Sequence, residues 1–591
     1  MSFRHAMPYG AELHGDGRVR FRLWAPDAER VLLEIDGGGT HPMRALDDGW
    51  HECICEAAAG TGYRYRISEA LRVPDPASRR QQGGDVHGPS VVVDPAAYRW
   101  QHPRWSGRPW REAVIYELHV GLMGGFRGVQ AALPRLRELG ITALELMPIA
   151  QFPGERNWGY DGVLPFAPAA AYGTPDELKA LIDAAHGQGL MVLLDVVYNH
   201  FGPDGNYLGA YASPFFHAAE SGQQTPWGAA IDVAVPQVGD FFVHNALYWL
   251  EEYRFDGLRL DAVHTLGNPA WLASLAARVR AAAGEHRQVH LILENEANQA
   301  HLLRAGFDAQ WNDDFHNALH VLLTGERSGY YGAYADDAIG KLVRCLAEGF
   351  AWQGEPMRGK PRGEPSAHLR PLCFVDFLQN HDQIGNRALG ERLSVLVPPA
   401  LLDACYALLL LTPATPMLFM GEEWASTAPF LFFTDHQTQA LRDAVREGRR
   451  KEFAEFESYG KAEEIPDPNA AETCDRSRPD PAEAERPEGA ARQALLRQLL
   501  AVRKQHLLPH LDHARALGAE ALAERALHAR WQLGPACLRI YCNLGDAPLA
   551  IDIPPTRGAR WLHGEPSAVA ALAEGCLAPA CTLVCLEPSA C

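Results

Sequence analysis

The sequence predicts an α/β protein built on a (β/α)8 TIM barrel, with a β-sandwich domain before the barrel and a small β domain after it. From about residue 108 onward, short apolar runs alternate with helical stretches, and eight such runs can be counted. Three of the runs release an acidic residue at their C-terminal end. These ends meet on one face of a TIM barrel, so we expect the three acids to share one site.

Composition limits the class of partner. The chain has 591 residues, a net charge of −19 and 47% hydrophobic residues. This length allows three or four domains, and the negative charge argues against nucleic acid or an anionic membrane as partner. We see no secretory h-region and no apolar run long enough to span a bilayer. The twelve cysteines lack paired CxxC spacing, so we expect free thiols and a cytoplasmic location.

Residues 1–98 are expected to form an Ig-like β-sandwich. Alternating runs at 19–24, 31–35 and 63–67 are separated by glycine-rich turns, a pattern typical of antiparallel sheets. Trp24 and Trp50 are expected in the core of this domain, since large aromatic residues are mostly buried.

Residues 108–512 are expected to form the barrel with its insertions. The predicted strands are 114–120, 142–148, 192–198, 257–263, 290–296, 307–312, 372–379 and 416–420. Predicted helices between them include 131–139, 175–186, 240–252 and 270–283. Long insertions at 200–239 and at about 324–370 follow the third and sixth strands, where loops that shape a binding site are expected.

The last third of the chain combines a polar insertion with a second β domain. Residues 435–492 are charge-rich, and 475–481 is predicted to be a solvated loop. A helix at 491–504 then closes the barrel, and alternation after residue 515 predicts a small β-sheet domain over 515–591.

The run 257–264 carries the first candidate pair, Arg259 and Asp261. Two residues apart on a strand, these side chains point to the same face. A fixed cation beside an acid lowers its pKa and keeps it ionised, as a carboxylate nucleophile requires. A buried structural ion pair is the alternative for an isolated Arg-x-Asp motif, but the acids that end two other runs favour an active site.

Glu294 and Asp382 are those other acids. Glu294 ends an apolar run, where loss of solvent would raise its pKa, the property that a general acid needs. Glu296 lies on the same strand face and is the rival acid. Two carboxyl groups about 5–5.5 Å apart cleave a glycosidic bond with retention, and Asp261 and Glu294 are our candidates for nucleophile and acid.

Four segments, in this order, resemble the sequence signatures of the α-amylase family of retaining glycoside hydrolases: 194–200, 257–261, 293–294 and 380–382. The resemblance implies a TIM barrel in which Asp261 is the nucleophile, Glu294 is the general acid and Asp382 stabilises an oxocarbenium-like transition state. We expect no cofactor. We also expect no metal, because no acidic cluster completes a calcium site beside Asn199.

Five further segments narrow the resemblance, at 73–79, 87–90, 157–162, 310–316 and 429–436. They are similar to those of α-amylase family members that act on maltooligosaccharides ending in trehalose. The resemblance implies hydrolysis of the α-1,4 bond next to the terminal trehalose of maltooligosyltrehalose, which releases trehalose and a maltooligosaccharide. It also implies action downstream of a maltooligosyltrehalose synthase.

The resemblance suggests a set of substrate-binding residues as well. His200 and His381 would hold sugar hydroxyls, Tyr160 would stack on a sugar ring, and Trp158 would either stack or pack. The other candidates are Arg259, His264, Asp313, Asp314, Phe315, His316 and Gln383. Among these, His264 and the acids and histidine of 313–316 would face the reducing-side sugars. Asp195 and Asn199 are expected to be structural.

Two departures from the family and three rival functions stay open. The segment 119–126 is shorter than the family usually shows, and Asn317 stands where a second histidine is common. The rival enzymes are a 1,4-α-glucan branching enzyme and a general α-amylase. The third rival is a carbohydrate-binding or regulatory protein on an inactive barrel. The intact set of Asp261, Glu294 and Asp382 argues against the third.

Overall fold

A computed structural model describes residues 2–14, 16–218, 224–225, 228–454, 465–553 and 558–588. Nine strands precede the barrel: β1 (Gly10–Leu13), β2 (Arg18–Trp24), β3 (Leu32–Ile35), β4 (Gly39–Pro42), β5 (Arg44–Ala45), β6 (Trp50–Glu56), β7 (Gly62–Arg66), β8 (Arg72–Val73) and β9 (Ser90–Val91). They form two antiparallel sheets, in the orders β1-β2-β6-β5 and β4-β3-β7-β8, with β9 paired to β7.

The N-terminal sandwich follows from alternation along its strands. On β2, Val19, Phe21 and Leu23 are buried while the residues between them are partly exposed, because successive side chains of a strand point to opposite faces. Trp24 is buried as predicted. Trp50 is only partly buried and carries the guanidinium of Arg22 over its ring, 4.4 Å from the centroid.

Eight parallel strands close into a barrel in the order β10-β11-β14-β17-β18-β19-β22-β23, and β23 pairs back to β10. The strands of this region, including three short hairpins, are β10 (Ile115–Leu118), β11 (Ala143–Leu146), β12 (Ala150–Gln151), β13 (Leu164–Pro168), β14 (Met191–Val196), β15 (Gln224–Thr225), β16 (Gly228–Ala229), β17 (Gly257–Leu260), β18 (His290–Leu293), β19 (Ala309–Trp311), β20 (Pro356–Met357), β21 (Lys360–Pro361), β22 (Phe374–Phe377) and β23 (Thr415–Phe419). The barrel strands coincide with the eight predicted runs, and the predicted fold class is confirmed.

Helices lie between and after the barrel strands along the chain. They are α1 (Gly125–Leu139), α2 (Pro175–Gly187), α3 (Pro236–Glu251), α4 (Pro269–Ala283), α5 (Asp313–Thr324), α6 (Ala338–Glu348), α7 (His381–Gly385), α8 (Leu393–Leu396), α9 (Pro399–Leu411), α10 (Gln439–Ala454), α11 (Ala471–Arg476) and α12 (Pro487–Val502). The fully described connection from β18 to β19 contains a short 3-10 turn, Leu302–Arg304, and no α-helix.

A further β region follows the barrel. Its strands and helix are β24 (Arg515–Ala523), β25 (Ala526–Leu533), β26 (Ala536–Asn543), β27 (Leu549–Ala550), β28 (Arg560–His563), α13 (Pro566–Ala573), β29 (Cys576–Leu577) and β30 (Cys581–Pro588). The sheet order is β24-β25-β26-β30-β28, and β27 pairs with β29. The domain boundaries that we placed from the sequence remain predictions.

The predicted solvated loop at 475–481 is exposed at five of its seven residues and is wrong at Ser477 and Pro479, which are buried. Residues 475–481 were expected in solvent, but Ser477 is fully buried just after α11. Its hydroxyl donates to the Thr473 carbonyl over 2.9 Å and accepts from the Leu431 N–H, also over 2.9 Å. The polar composition of the segment did not indicate that Ser477 is buried, because a single serine can satisfy buried backbone groups of a neighbouring segment.

Two further expectations concern membranes and thiols. Among the helices formed by the described residues, none combines the length and hydropathy needed to cross a bilayer. The eleven cysteines within the described ranges are free thiols, and Cys591 lies outside those ranges.

The barrel interior has two levels. An apolar floor is formed by Ile115, Leu193, Ile292 and Phe377 with their neighbours. Above it, the register places Glu117 opposite Glu145, and Asp195 opposite Arg259, on neighbouring parallel strands. The apolar floor packs the strands together. The polar level lies closer to their C-terminal ends, where the active sites of TIM-barrel enzymes are found.

Candidate active site

The site is organised around the guanidinium of Arg259. This side chain is fully buried on β17, and its charge lies over the Trp311 ring, 4.1 Å from the centroid. Its Nη1 donates to Asp261 Oδ1 over 2.8 Å and to Asp195 over 2.7 and 2.8 Å. Its Nη2 forms an ion pair with Glu294 Oε2 at 3.0 Å. One cation therefore binds three carboxylates from three successive barrel strands.

The pKa of Asp261 corrects one sequence prediction. Burial raises this pKa to about 6, and the like charges of Asp195 and Asp382 act in the same direction. Arg259 lowers it, as predicted, but does not outweigh burial. The net shift is upward, and Asp261 is still mainly a carboxylate at neutral pH.

Glu294 has the environment of a proton donor. Burial raises its pKa, the charge of Asp261 adds to the shift, and Arg259 opposes it. The backbone N–H of Ala262 donates to Glu294 Oε2 over 2.7 Å. Ala262 has a φ of 42°, a left-handed conformation that alanine rarely adopts and that is often found at functional sites. The turn after the candidate nucleophile thus helps to fix the candidate acid.

The structure separates Glu294 from its rival. The side chain of Glu296 is 59% exposed, and its Oε2 lies 3.9 Å from His264 Nε2. Glu294 forms an ion pair with Arg259, whereas the side chain of Glu296 is largely exposed to solvent. The geometry therefore favours Glu294 as the acid.

Asp382 lies at the start of α7, beside His381 and Tyr160. Its Oδ1 lies 3.5 Å from His381 Nε2. The Tyr160 hydroxyl lies 2.8 Å from the same Nε2 and donates to Asp195 Oδ2 over 2.7 Å. The Tyr160 ring is stacked on the imidazole, with 5.2 Å between centroids. This group joins Asp382 to the carboxylates held by Arg259.

Similar proteins share both the barrel and the flanking domains. A malto-oligosyltrehalose trehalohydrolase of Deinococcus radiodurans is 41% identical over 510 residues, which are 84% of this chain and 83% of that protein. A second, from Rhizobium sp. strain M-11, is 39% identical over 569 residues, 91% of this chain and 93% of that one. The chain belongs to the malto-oligosyltrehalose trehalohydrolase family.

Three family models and a solved structure also match the chain. Residues 8–95 match carbohydrate-binding module 48 (isoamylase N-terminal domain), 86–221 match the alpha amylase catalytic domain, and 514–585 match a domain of unknown function, DUF3459. The crystal structure of a putative alpha amylase from Salmonella typhimurium superposes with a TM-score of 0.91 at 42% identity, covering 99% of this chain and all of that one.

The side chain of Trp158 is packed in the protein interior and does not line the candidate active site. It is 4% exposed and stacked on Phe430, with 5.1 Å between centroids. Its indole N–H donates to the Leu431 carbonyl over 2.9 Å. Of the two alternatives that the sequence left open, stacking on sugar or packing, the structure places Trp158 in the packing position.

The run 313–316 is divided by the helix that it begins. Asp313 is partly exposed, and burial together with the charge of Glu294 raises its pKa. Asp314, Phe315 and His316 are at most 1% exposed. The prediction that these three contact substrate is corrected, because the first turn of α5 directs them into the protein.

Asp314 connects two loops instead. Its carboxylate accepts from Tyr334 over 2.5 Å, from the Ala351 N–H over 2.8 Å and from Asn298 over 2.9 Å. Arg362 forms an ion pair with it at 3.1 Å. The residue thus anchors the insertion that follows the sixth barrel strand.

His316 is similarly occupied. Its Nδ1 lies 2.6 Å from the Leu378 carbonyl, and its Nε2 lies 3.1 Å from the Tyr331 hydroxyl. Burial lowers its pKa well below the usual range. These contacts support the segment that leads to Asn380 and the neighbouring catalytic region.

The remaining predicted residues lie near the carboxylates. His264 is partly exposed, and its Nδ1 accepts from the Glu296 N–H at 3.4 Å. Gln383 follows Asp382, and its Oε1 is buried without a hydrogen-bond partner among the described residues. His200 is buried, with Nδ1 2.8 Å from Asn199 Oδ1 and Nε2 2.9 Å from the Tyr160 carbonyl. Direct contact of His200 with sugar stays a prediction.

Sequence reasoning missed two side chains of the site. Asn199, which we expected to be structural, donates to Asp261 Oδ2 over 3.2 Å. Tyr330 is 39% exposed as a residue, but its hydroxyl is partly buried against that of Tyr331, 3.4 Å away. This burial raises the pKa of Tyr330, and the charges of Asp382 and Asp313 act in the same direction. The position of Asn199 directly after the third strand was the available signal. Tyr330 had none, since it lies within a long insertion.

Proposed function

We propose that the chain is a retaining glycoside hydrolase that cleaves the α-1,4 glucosidic bond next to the terminal trehalose of maltooligosyltrehalose. The products are trehalose and a maltooligosaccharide. The observation that most directly supports this proposal is that Asp261 and Glu294, at the ends of neighbouring strands, both form ion pairs with the buried guanidinium of Arg259. Such proximity suits the separation of about 5–5.5 Å that a retaining mechanism uses.

The mechanism assigns one role to each carboxyl group. Asp261, ionised at neutral pH, attacks the anomeric carbon and forms a covalent glycosyl-enzyme. Glu294, with its raised pKa, protonates the departing trehalose oxygen and then takes a proton from the water that hydrolyses the intermediate. Asp382, which lies beside Asp261 and Tyr160, stabilises the positive charge that develops on the sugar ring.

The substrate assignment is supported by the relatives, which are named as malto-oligosyltrehalose trehalohydrolases. We also propose that the chain acts downstream of a maltooligosyltrehalose synthase and in the cytoplasm. Asp313 and His264 are the proposed contacts of the reducing-side sugars, because both remain partly exposed near Glu294.

Incubation with maltotriosyltrehalose and, separately, with amylose tests this function. We expect maltotriose and trehalose as the first products of maltotriosyltrehalose, and no new α-1,6 linkages in amylose. Preparations of the Asp261→Asn variant control for contaminating activity. New α-1,6 branches in amylose would support a branching enzyme instead, and equal rates on maltopentaose would support a general α-amylase.

A further inference from the structure

A buried carboxylate on the first barrel strand holds the histidine beside the candidate site. Glu117 and His381 are each 1% exposed. The Nδ1 of His381 is in very short contact with Glu117 Oε1, and the His381 backbone N–H donates to Glu117 Oε2 over 3.2 Å. Both the ring and the main chain of His381 are thus fixed by one carboxylate from a strand far away in sequence.

Hydrogen-bond directions indicate where the protons of His381 lie. Asp195 accepts from Arg259 through both oxygens, so the single hydroxyl proton of Tyr160 goes to Asp195. Tyr160 then has only lone pairs to offer Nε2 of His381, and Nε2 must donate. Since Nδ1 faces the Glu117 carboxylate, it donates as well, and both ring nitrogens carry a proton.

The charges around His381 favour the same state. The titratable and charged groups that face it come from several barrel elements and from its own helix: Glu117, His119, Glu145, Tyr160, Asp195, Arg259 and Asp382. Burial lowers the pKa of His381, but the carboxylates of Asp382 and Glu117 outweigh burial and Arg259 and raise it to about 9. Two of the surrounding carboxylates are part of the proposed hydrolytic site: Asp382 is one of its three acids, and Asp195 contacts Arg259.

We propose that Glu117 is a positioning residue for hydrolysis, which keeps His381 as a doubly protonated ring that donates to Tyr160 and faces Asp382. The inference rests on the proposed function of the same site. Glu117 does not touch the substrate in this proposal. It sets the direction of the hydrogen-bond chain from His381 through Tyr160 to Asp195, and thereby the arrangement around Arg259.

Replacing Glu117 by Gln removes the charge and preserves the shape. With a neutral His381, Nε2 becomes an acceptor when Nδ1 donates to the new amide oxygen. Because Tyr160 has one hydroxyl proton, it can then donate a hydrogen bond either to Nε2 or to Asp195 Oδ2, but not to both. The chain loses its fixed direction at any pH where His381 is neutral.

Glu145 provides a matched control. It is the register partner of Glu117 on the neighbouring strand and is equally buried. Burial raises the pKa of Glu145 well above its usual range, with Glu117 and Asp195 acting in the same direction. Both carboxyl oxygens of Glu145 lack a hydrogen-bond partner among the described residues, so Glu145→Gln removes none of the hydrogen bonds that link Glu117, His381, Tyr160 and Asp195. The titration of His381 and the pH profile of this variant should therefore stay close to those of the wild type.

The direct test is NMR of full-length protein carrying 13C-labelled histidine, with the His381 signal assigned by its loss in His381→Gln. The wild-type signal should stay that of an imidazolium up to about pH 8, consistent with the pKa of about 9. In Glu117→Gln the midpoint should fall by about 1–3 pH units. The ratio of variant to wild-type kcat/KM should drop about fivefold or more between pH 6 and pH 8.

Three outcomes would overturn the inference. They are a neutral wild-type His381 at pH 7, a Glu117→Gln midpoint equal to that of the wild type, and a shifted midpoint with a flat activity ratio. If Glu117→Gln does not fold, the wild-type titration still decides the charge state. The titration needs no substrate, so failure of the proposed hydrolysis is seen separately, as a lack of trehalose release.

Discussion

Arg259 donates to Asp261 over 2.8 Å, yet the pKa of Asp261 is raised to about 6. The attraction of one guanidinium is divided among Asp195, Asp261 and Glu294. Burial and two like charges act on Asp261 against it. Arg259 therefore holds the three carboxyl groups together without lowering the pKa of any of them below its ordinary value. This suits a site where one carboxyl group must attack and another must donate a proton.

The first prediction concerns the nucleophile. Asp261→Asn is nearly isosteric and should retain the fold, but it removes the attacking carboxylate, so kcat should fall by about 10⁴-fold or more. Thermal unfolding and binding of maltotriosyltrehalose to the variant control for folding. Turnover within about tenfold of the wild type would mean that another group attacks.

The second prediction concerns the acid. Glu294→Gln should slow hydrolysis of maltotriosyltrehalose by about 10²–10⁴-fold, and maltotriosyl fluoride should restore most of the rate, because fluoride departs with little need for protonation. Glu296→Gln is the matched control. Its side chain is 59% exposed, away from Arg259, and kcat should change little. Rescue by the fluoride in Glu296→Gln alone would reverse the assignment.

The third prediction is the acid limb of the pH profile. Hydrolysis requires ionised Asp261, whose pKa is raised to about 6, so kcat/KM should fall as pH drops below about 6. Asp195→Asn removes a like charge that raises this pKa, and the limb should move to lower pH in the variant. A wild-type limb near the ordinary aspartate value of about 4 would contradict the role of burial.

The fourth prediction distinguishes two adjacent acids. Asp314→Ala removes one partner of a buried ion pair with Arg362 and should destabilise the fold by about 3–5 kcal/mol, measured by denaturant unfolding. Asp313→Ala should leave stability nearly unchanged and reduce the kcat/KM ratio between maltotriosyltrehalose and maltopentaose. The opposite assignment of stability and selectivity would place the substrate contact on Asp314.

The sequence was sufficient for the barrel and for the acids at its strand ends. Apolar runs of strand length are a local property, and the acids at 261, 294 and 382 directly follow them. The site partners were less accessible to this reasoning. Glu117 lies inside a buried strand and resembles a core position, and the histidine it holds is 264 residues away. Such pairing depends on closure of the barrel, which no local pattern encodes.

The error at 313–316 has a different origin. The family resemblance implied that all four residues contact the substrate, but helix α5 begins at Asp313. A helix distributes consecutive residues around its axis, so only part of the run can face the cleft. In addition, every residue from Asp314 to Val321 is buried, so this part of α5 is enclosed on all sides. Its polar residues gave no local signal of that burial.

The central claim is retaining hydrolysis at the bond next to trehalose, and 1H NMR of the first minutes of reaction with maltotriosyltrehalose tests it most directly. We predict equimolar trehalose and maltotriose, with the α-anomer of maltotriose appearing before mutarotation produces the β-anomer. Initial release of β-maltotriose would contradict the double displacement by Asp261, and glucose or maltose as the first product would contradict cleavage next to trehalose.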